Sequence, residues 1–250
     1  MIELKQISKV FNKGKVNEVI ALNNISLTIN REDFLVVLGA NGSGKTTLLN
    51  IISGTEISSD GQVFINKINV SHLPEYRRSK WIARVFQNPL SGTASDLSIL
   101  DNFRLAAIRT TKKKLIIGVN NAFRKQVRDK IAELGMGLEN KLEQTMGTLS
   151  GGQRQALTLL MSVMDDSQIL LLDEPTAALD PRSAAMILQT ADKLIKQYKL
   201  TAVLITHNLK EAHQYGNRLI RMSEGKIQND LVYNEKTKLK LEDLYAWFSE

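Results

Sequence analysis

The sequence predicts an α/β fold built on a parallel sheet covered on both faces. Three observations carry this. Short runs of uninterrupted apolar residues at 34–38, 169–172 and 202–205 lack the polar alternation of a half-exposed strand, so they read as strands buried on both sides. The first two are followed by segments that open helices, which gives the strand–helix alternation of an α/β chain. The intervening stretch, 89–148, has few runs of β-branched residues and reads as a mostly helical insert.

The elements follow in order. Leu4, Ile7 and Val10 are apolar before Asn12-Lys13-Gly14 breaks the run. Ile25, Leu27 and Ile29 then alternate as in a half-buried strand. Residues 34–38 run directly into Gly39-Ala40-Asn41-Gly42-Ser43-Gly44, and a helix is expected from Lys45 to Ser53 with Gly54 as its C-cap. The insert holds helices near 97–107 and 123–134, and a basic run, Lys112-Lys113-Lys114. Asp180-Pro181 marks a helix start, with an N-cap followed by proline at the first helical position. Ala184, Leu188, Ala191, Ile195 and Tyr198 give that helix one apolar face. Leu219 to Met222 and Lys226 to Gln228, joined by Ser223-Glu224-Gly225, read as a hairpin. Leu241, Leu244, Tyr245 and Phe248 give the tail a short amphipathic helix.

Composition narrows the function classes. At roughly 150 residues per domain, 250 residues make one or two domains. A hydrophobic fraction of 43% with 24% charged residues argues against extended disorder. The chain has no cysteine, which removes disulfide scaffolds, thiolate metal sites and cysteine nucleophiles and fits a reducing compartment. No apolar run approaches the ~20 residues of a membrane span, and the N-terminus lacks a signal-peptide pattern. The net charge of +7 reads as a moderately basic surface.

The strongest motif is Gly39-Ala40-Asn41-Gly42-Ser43-Gly44-Lys45-Thr46, which fits G-x-x-x-x-G-K-[ST] at every fixed position. Its context, a buried strand before and a helix after, is the one this chemistry needs. Glycines let successive N–H groups turn inward, and the helix N-terminus adds its positive end, so the loop cradles phosphate. Lys45 would reach the β- and γ-phosphates and the Thr46 hydroxyl would ligate Mg²⁺, with Thr47 completing the cradle. The plain alternative is a glycine-rich strand-to-helix turn, but chance matches run at roughly a few in 10⁵ windows. A second motif is the buried strand 169–172 ending in Asp173-Glu174. Ligands sit beyond the carboxyl ends of strands in open parallel sheets, so Asp173 is expected to hold Mg²⁺ and Glu174 to orient or deprotonate a water. A third is Leu149-Ser150-Gly151-Gly152-Gln153, where Ser150 caps another helix and the glycines bare its first N–H groups. That is a second anion-binding helix end, which two subunits facing head to tail would need.

With these motifs in this order the sequence resembles the ATP-binding cassette (ABC) ATPases, the motor subunits of ABC transporters. The resemblance covers nearly the whole chain. It rests on the cradle, Gln87 in Val85-Phe86-Gln87-Asn88, the signature Leu149-Ser150-Gly151-Gly152-Gln153, the acidic strand, Pro175, the turn Ala178-Leu179-Asp180 and His207. It implies a P-loop NTPase (RecA-like) core with an N-terminal antiparallel β subdomain and an inserted α-helical subdomain. The core would comprise 1–88 and 149–228, the insert 89–148 and the tail 229–250. The implied cofactors are ATP and Mg²⁺. Gln87 would touch Mg²⁺ or the lytic water, His207 the γ-phosphate, Asp180 the dimer seam, and Phe11 would stack on adenine where tyrosine is commoner. His72 and His213 match nothing and read as surface residues. Two mild departures are Ala156, where many relatives carry arginine, and Asp165-Asp166-Ser167 in place of a proline turn.

The resemblance further implies a homodimer or pseudo-dimer across two ATP sites, on the cytoplasmic face of the cell membrane. Integral membrane permease subunits would dock near Gln87, and an extracytoplasmic substrate-binding protein would serve an importer. The stretches Leu73-Pro74-Glu75-Tyr76-Arg77-Arg78 and Gly151 to Thr158 look like a group of uptake ATPases with amino-acid- and sugar-type permeases, some associated with aromatic amino acids. The alternative is a soluble ATPase of the same class acting on ribosomes or nucleic acid. Those branches usually carry two cassettes or a long coiled coil, so no nucleic acid is expected. The lysine run reads as a solvated surface, with anionic lipid as the minor reading.

Overall fold

The computed structural model describes residues 1–110 and 118–247. Residues 1–78 form β1 (Ile2–Phe11), β2 (Val19–Ile29), β3 (Phe34–Leu38), α1 (Lys45–Ser53), β4 (Asp60–Ile65), β5 (Ile68–Asn69) and α2 (Glu75–Arg78). Residues 79–199 form β6 (Ile82–Val85), α3 (Ile99–Ala107), α4 (Asn121–Ala132), α5 (Gly151–Met161), β7 (Ile169–Asp173) and α6 (Pro181–Tyr198). The remainder forms β8 (Thr201–Thr206), α7 (Leu209–Gln214), β9 (Arg218–Ser223), β10 (Lys226–Leu231), α8 (Tyr233–Lys236) and α9 (Leu241–Ala246). The chain divides into two compact units, one of Met1–Arg78 with Leu200–Glu250 and one of Ser79–Lys199. Among the described residues no helix is long and apolar enough to cross a membrane.

The first unit holds two sets of strands. β2, β1, β4 and β5 lie antiparallel in that order. The alternation read from the sequence fixes this sheet's inner face: Ile25, Leu27 and Ile29 are all buried, with Ile2 and Leu4 opposite Ile29 and Leu27. β3 runs parallel between β8 and β9, and β10 closes the edge antiparallel to β9. All five residues of β3 are buried, as an uninterrupted apolar run requires. The hairpin is longer than its apolar residues indicate, because β10 is an edge strand that alternates exposed and half-buried positions.

α1 has the bounds expected from the sequence, and Gly54 caps it in the left-handed region at φ 87°. Its C-terminus also receives a buried cation. Arg78 is 1% exposed, and its guanidinium donates to Ile51 O (2.6 Å), Ile52 O (3.0 Å), Leu73 O (2.8 Å) and Ser71 O (3.2 Å). Burial pushes Arg78 down to about 10, so it stays charged at neutral pH at the negative end of the helix. Arg78→Met is expected to cost about 3 kcal/mol or more, because it leaves several buried carbonyls without donors. Arg78→Lys should recover only part of this, since an ammonium lacks the planar fork. Urea unfolding midpoints of the three proteins measure it, and an unchanged midpoint for Arg78→Met would exclude the cap.

The second unit pairs β6 and β7 in parallel and packs α3, α4, α5 and α6 around a core that includes Leu100, Phe103, Val127, Ile131 and Leu157. Local signals set the helix starts. Ser98, Asn120, Ser150 and Asp180 each cap a helix with a side-chain oxygen. The helical segments expected at 97–107 and 123–134 are α3 and α4. In α6, Leu188, Ala191 and Ile195 are buried as expected, joined by Ile187 and Leu194. Tyr198 departs from that face: it is exposed, and Lys130 Nζ lies 2.6 Å from its hydroxyl and 4.9 Å from its ring centroid. The Asp165-Asp166-Ser167 turn is tied without proline. Arg109 grips the Asp165 carboxylate through Nε (2.7 Å) and Nη2 (2.8 Å) and reaches Ser167 Oγ (3.0 Å).

In the tail, Leu244 is fully buried but Tyr245 is half exposed, so the apolar face is narrower than its spacing indicates. Phe248, Lys112, Lys113 and Lys114 lie outside the described residues. His72 and His213 are both exposed, and a ring nitrogen of His213 meets Leu239 O at 2.9 Å.

Candidate functional site

In the first unit the cradle leaves β3. Gly39 is required by close approach, since a Cβ there would lie 2.5 Å from both Met222 O and Ser43 Oγ. Gly42 and Gly44 take left-handed φ of 81° and 99°, open to glycine. Lys45 is buried and folds back over the loop, its Nζ donating to Gly39 O (2.9 Å) and Ala40 O (3.0 Å). Ala40, Asn41, Gly42 and Thr46 are exposed, and Thr47 is half-buried. Ser43 Oγ is buried without a hydrogen-bond partner. An orphaned hydroxyl in a glycine-rich loop just before a helix start fits a phosphate ligand.

His207 follows β8, the parallel neighbour of β3. Leu38 pairs with Thr206, so Gly39 and His207 leave adjacent strands at the same edge of the sheet. Both stand where ligands gather in such sheets. His207 is exposed. Phe11 ends β1, half-buried, with Lys9 Nζ 4.8 Å from its ring centroid.

The second unit repeats this logic. Val85 pairs with Leu172, so Phe86-Gln87 and Asp173-Glu174 leave adjacent parallel strands side by side. Gln87 is exposed. Asp173 is 5% exposed, and its charge is met by Arg84, whose Nη2 lies 2.7 Å from Oδ2. A buried carboxylate requires such a partner. Arg84 belongs to none of the motifs above; its signal in the sequence is a basic residue inside the apolar stretch Trp81-Ile82-Ala83-Arg84-Val85. Glu174 carries a second unpredicted feature, a left-handed φ of 42°, and it precedes a proline, which restricts it further. Strain of this kind, of order 1–3 kcal/mol, collects at functional positions.

The signature segment opens α5 with a reciprocal cap. Ser150 Oγ accepts from Gln153 N (3.3 Å) and Gln153 Oε1 accepts from Ser150 N (3.1 Å). The two glycines have different surroundings. Gly151 is exposed, whereas Gly152 is buried against α6, where a Cβ would lie 3.1 Å from Ser183 Oγ. Only the first is therefore bared as the sequence indicates; the second serves helix packing. Asp180 caps α6 through Arg182 N and Ser183 N, both at 3.1 Å. The Ser183 hydroxyl, then the Ser183 amide, hold its carboxyl below the usual carboxylate range. Ser183 thus links the signature helix with the Asp180 turn.

The residues expected around Mg²⁺ offer a hydroxyl (Thr46), an amide oxygen (Gln87) and a carboxylate (Asp173), a hard oxygen set suited to that ion. Among the described residues no group of three or more His, Cys, Asp or Glu is placed to hold a metal.

Comparison with known proteins shows the family. The family described as ABC transporter matches residues 22–177. The tyrosine transport ATP-binding protein of Clostridioides difficile (strain R20291) is 36% identical over 254 residues, covering 99% of this chain and 98% of that protein. Methionine import ATP-binding protein MetN 1 of Staphylococcus aureus (strain USA300) is 30% identical over 91% of this chain and 64% of its own length. Among solved structures, the dimeric post-hydrolysis state of the ATP-binding cassette MJ0796 bound to ADP and Pi superposes with a TM-score of 0.80 at 28% identity, covering 93% of this chain and 99% of that one. A cradle, an acidic strand end and a capped signature helix, in a chain with these relatives, identify the protein as a member of the ABC transporter family, an ATP-binding and ATP-hydrolysing subunit.

Proposed function

We propose that this chain powers an importer for a small solute of the amino-acid type, with an aromatic amino acid as the foremost candidate. It would act as a head-to-tail dimer on separate membrane permease subunits at the cytoplasmic face, fed by an extracytoplasmic binding protein. The observation that carries the dimer is the second anion-binding helix end at Ser150, which one nucleotide in one subunit leaves without a purpose. The cargo class rests on the relative of nearly equal length named for tyrosine transport. In this reading the core is 1–88 with 149–228, the insert is 89–148 and the tail is 229–250.

The residues take these roles. The backbone amides of residues 39–46, the Ser43 hydroxyl and the Lys45 ammonium hold the phosphates, and Phe11 stacks on the base. Thr46, Gln87 and Asp173 would hold Mg²⁺, which when bound neutralises phosphate charge. Arg84 keeps the Asp173 carboxylate oriented. Glu174 accepts a proton from the attacking water, and His207 donates to the γ-phosphate. Ser150, Gly151, Gly152 and Gln153 of the other subunit close over the same nucleotide, with Asp180 at the seam. Phosphoryl transfer to water needs positioning and charge neutralisation more than covalent chemistry, and these groups supply both. The alternative, action on ribosomes or nucleic acid, draws no support from these relatives, which are named for transport.

Tagging the chain in its native cells and identifying what co-purifies from detergent-solubilised membranes tests the reading. A polytopic permease with a solute-binding lipoprotein is the expected result, and the lipoprotein's ligand then names the cargo. Ribosomal proteins or nucleic acid in their place would overturn the transport role.

A further inference from the structure

Gln155 lies one and a half turns into α5, beyond the signature residues, and is fully buried. Its Nε2 donates to two backbone carbonyls, Phe86 O at 3.0 Å and Pro175 O at 3.1 Å. With two acceptors on the nitrogen, the orientation of the carboxamide is set, and Oε1 is left buried without a hydrogen-bond partner. Leaving an acceptor unpaired in the interior is costly, so the side chain is held there by what its other end does.

What it holds is specific. Phe86 O belongs to the peptide group whose nitrogen is that of Gln87. Pro175 immediately follows Glu174, whose left-handed φ must be imposed by its surroundings. The β6 exit, the β7 exit and the signature helix therefore meet on one amide group. A helix moves as a rigid body, and Ser150 stands only about 7–8 Å along the axis from Gln155 at 1.5 Å per residue. Any displacement of the capped end is passed to both exits at once.

We propose that Gln155 is a positioning residue that couples the signature helix to the hydrolytic groups, setting where Gln87 and Glu174 stand by restraining both strand exits. The inference rests on the roles given above to those two residues. It adds a residue outside the signature pentapeptide and a route by which engagement of Ser150 by the partner's nucleotide reaches Glu174 of the same chain.

The test uses the full chain and three variants. Gln155→Met keeps the volume and removes both donors. It is expected to lower kcat by roughly 10–100-fold with the dissociation constant for ATP unchanged. In a Glu174→Gln background, single-turnover rates should show a smaller further loss, because one of the two residues through which Gln155 acts no longer contributes. An unchanged kcat, or the same fold-loss in both backgrounds, would overturn the coupling. Gln155→Glu supplies an independent readout. Its ionised carboxylate would face two carbonyl oxygens, whereas the protonated acid can donate to one of them. Activity relative to the wild type should therefore rise as the pH falls from about 8 to about 6; a flat ratio would overturn the proposal even if Gln155→Met fails to fold. Near-wild-type turnover of Glu174→Gln alone would remove Glu174 from its role, while the split between kcat and ATP binding in Gln155→Met would still report on the restraint.

Discussion

Glu174→Gln is expected to leave ATP binding intact and to slow steady-state hydrolysis by roughly 10²–10⁴-fold. The substitution is nearly isosteric, so the turn closed by Ala177 N on Glu174 O (3.1 Å) has no reason to change. Position 174 is not among the residues proposed to hold the phosphates. What changes is the capacity to take a proton from water as it attacks. Equilibrium ATP binding and phosphate release, measured on the same preparation, check both halves of the expectation. Turnover near that of the wild type would assign the proton to another group. The left-handed φ at this position gives the prediction a structural edge. Glu174→Gly relieves the backbone strain yet removes the carboxylate, so it should lose turnover while matching or exceeding wild-type stability.

Ser150→Arg is expected to abolish hydrolysis while sparing ATP binding to the isolated subunit. The residue is exposed at the helix start, where a long cation replaces a small hydroxyl that a nucleotide phosphate would meet. The variant also loses the reciprocal cap with Gln153, worth about 1 kcal/mol. Ser150→Ala isolates that contribution, since it removes the cap without adding bulk. Complementation separates the head-to-tail arrangement from a site closed within one subunit. Ser150→Arg and Lys45→Ala subunits are each expected to be inactive. Mixed, they form one composite site with an intact cradle from the first and an intact signature helix from the second, and hydrolysis should return. No recovery on mixing, or loss of ATP binding by Ser150→Arg alone, would place Ser150 in its own subunit's site.

The sequence made the local architecture legible. The bounds of α1, its glycine cap and the caps at Ser150 and Asp180 rest on interactions within a few residues, and the buried strands β3 and β8 show as uninterrupted apolar runs, so a linear reading can see them. Between residues 55 and 88 it gave no elements, although β4, β5, α2 and β6 lie there. β5 and α2 are too short to show a period, and β6 is a four-residue strand containing an arginine. Tyr198 and Tyr245 followed helical spacing but not burial, because spacing gives the direction of a side chain and not what lies opposite it.

The sequence by itself determined which residue types stand together: a glycine-rich loop ending in Lys45-Thr46, two carboxylates at a strand end, and a serine followed by two glycines at a second helix start. Those properties belong to residue types in a fixed order along a short stretch of chain. Only the tertiary structure decided how they are held. Arg84 neutralises Asp173 from 89 positions away, Arg78 closes α1 from 27 and 26 positions away, and Gln155 ties Phe86 to Pro175 across separations of 69 and 20. A buried charge or amide finds its partner through the packing of distant strands and helices, so its role becomes visible only when those elements are brought together.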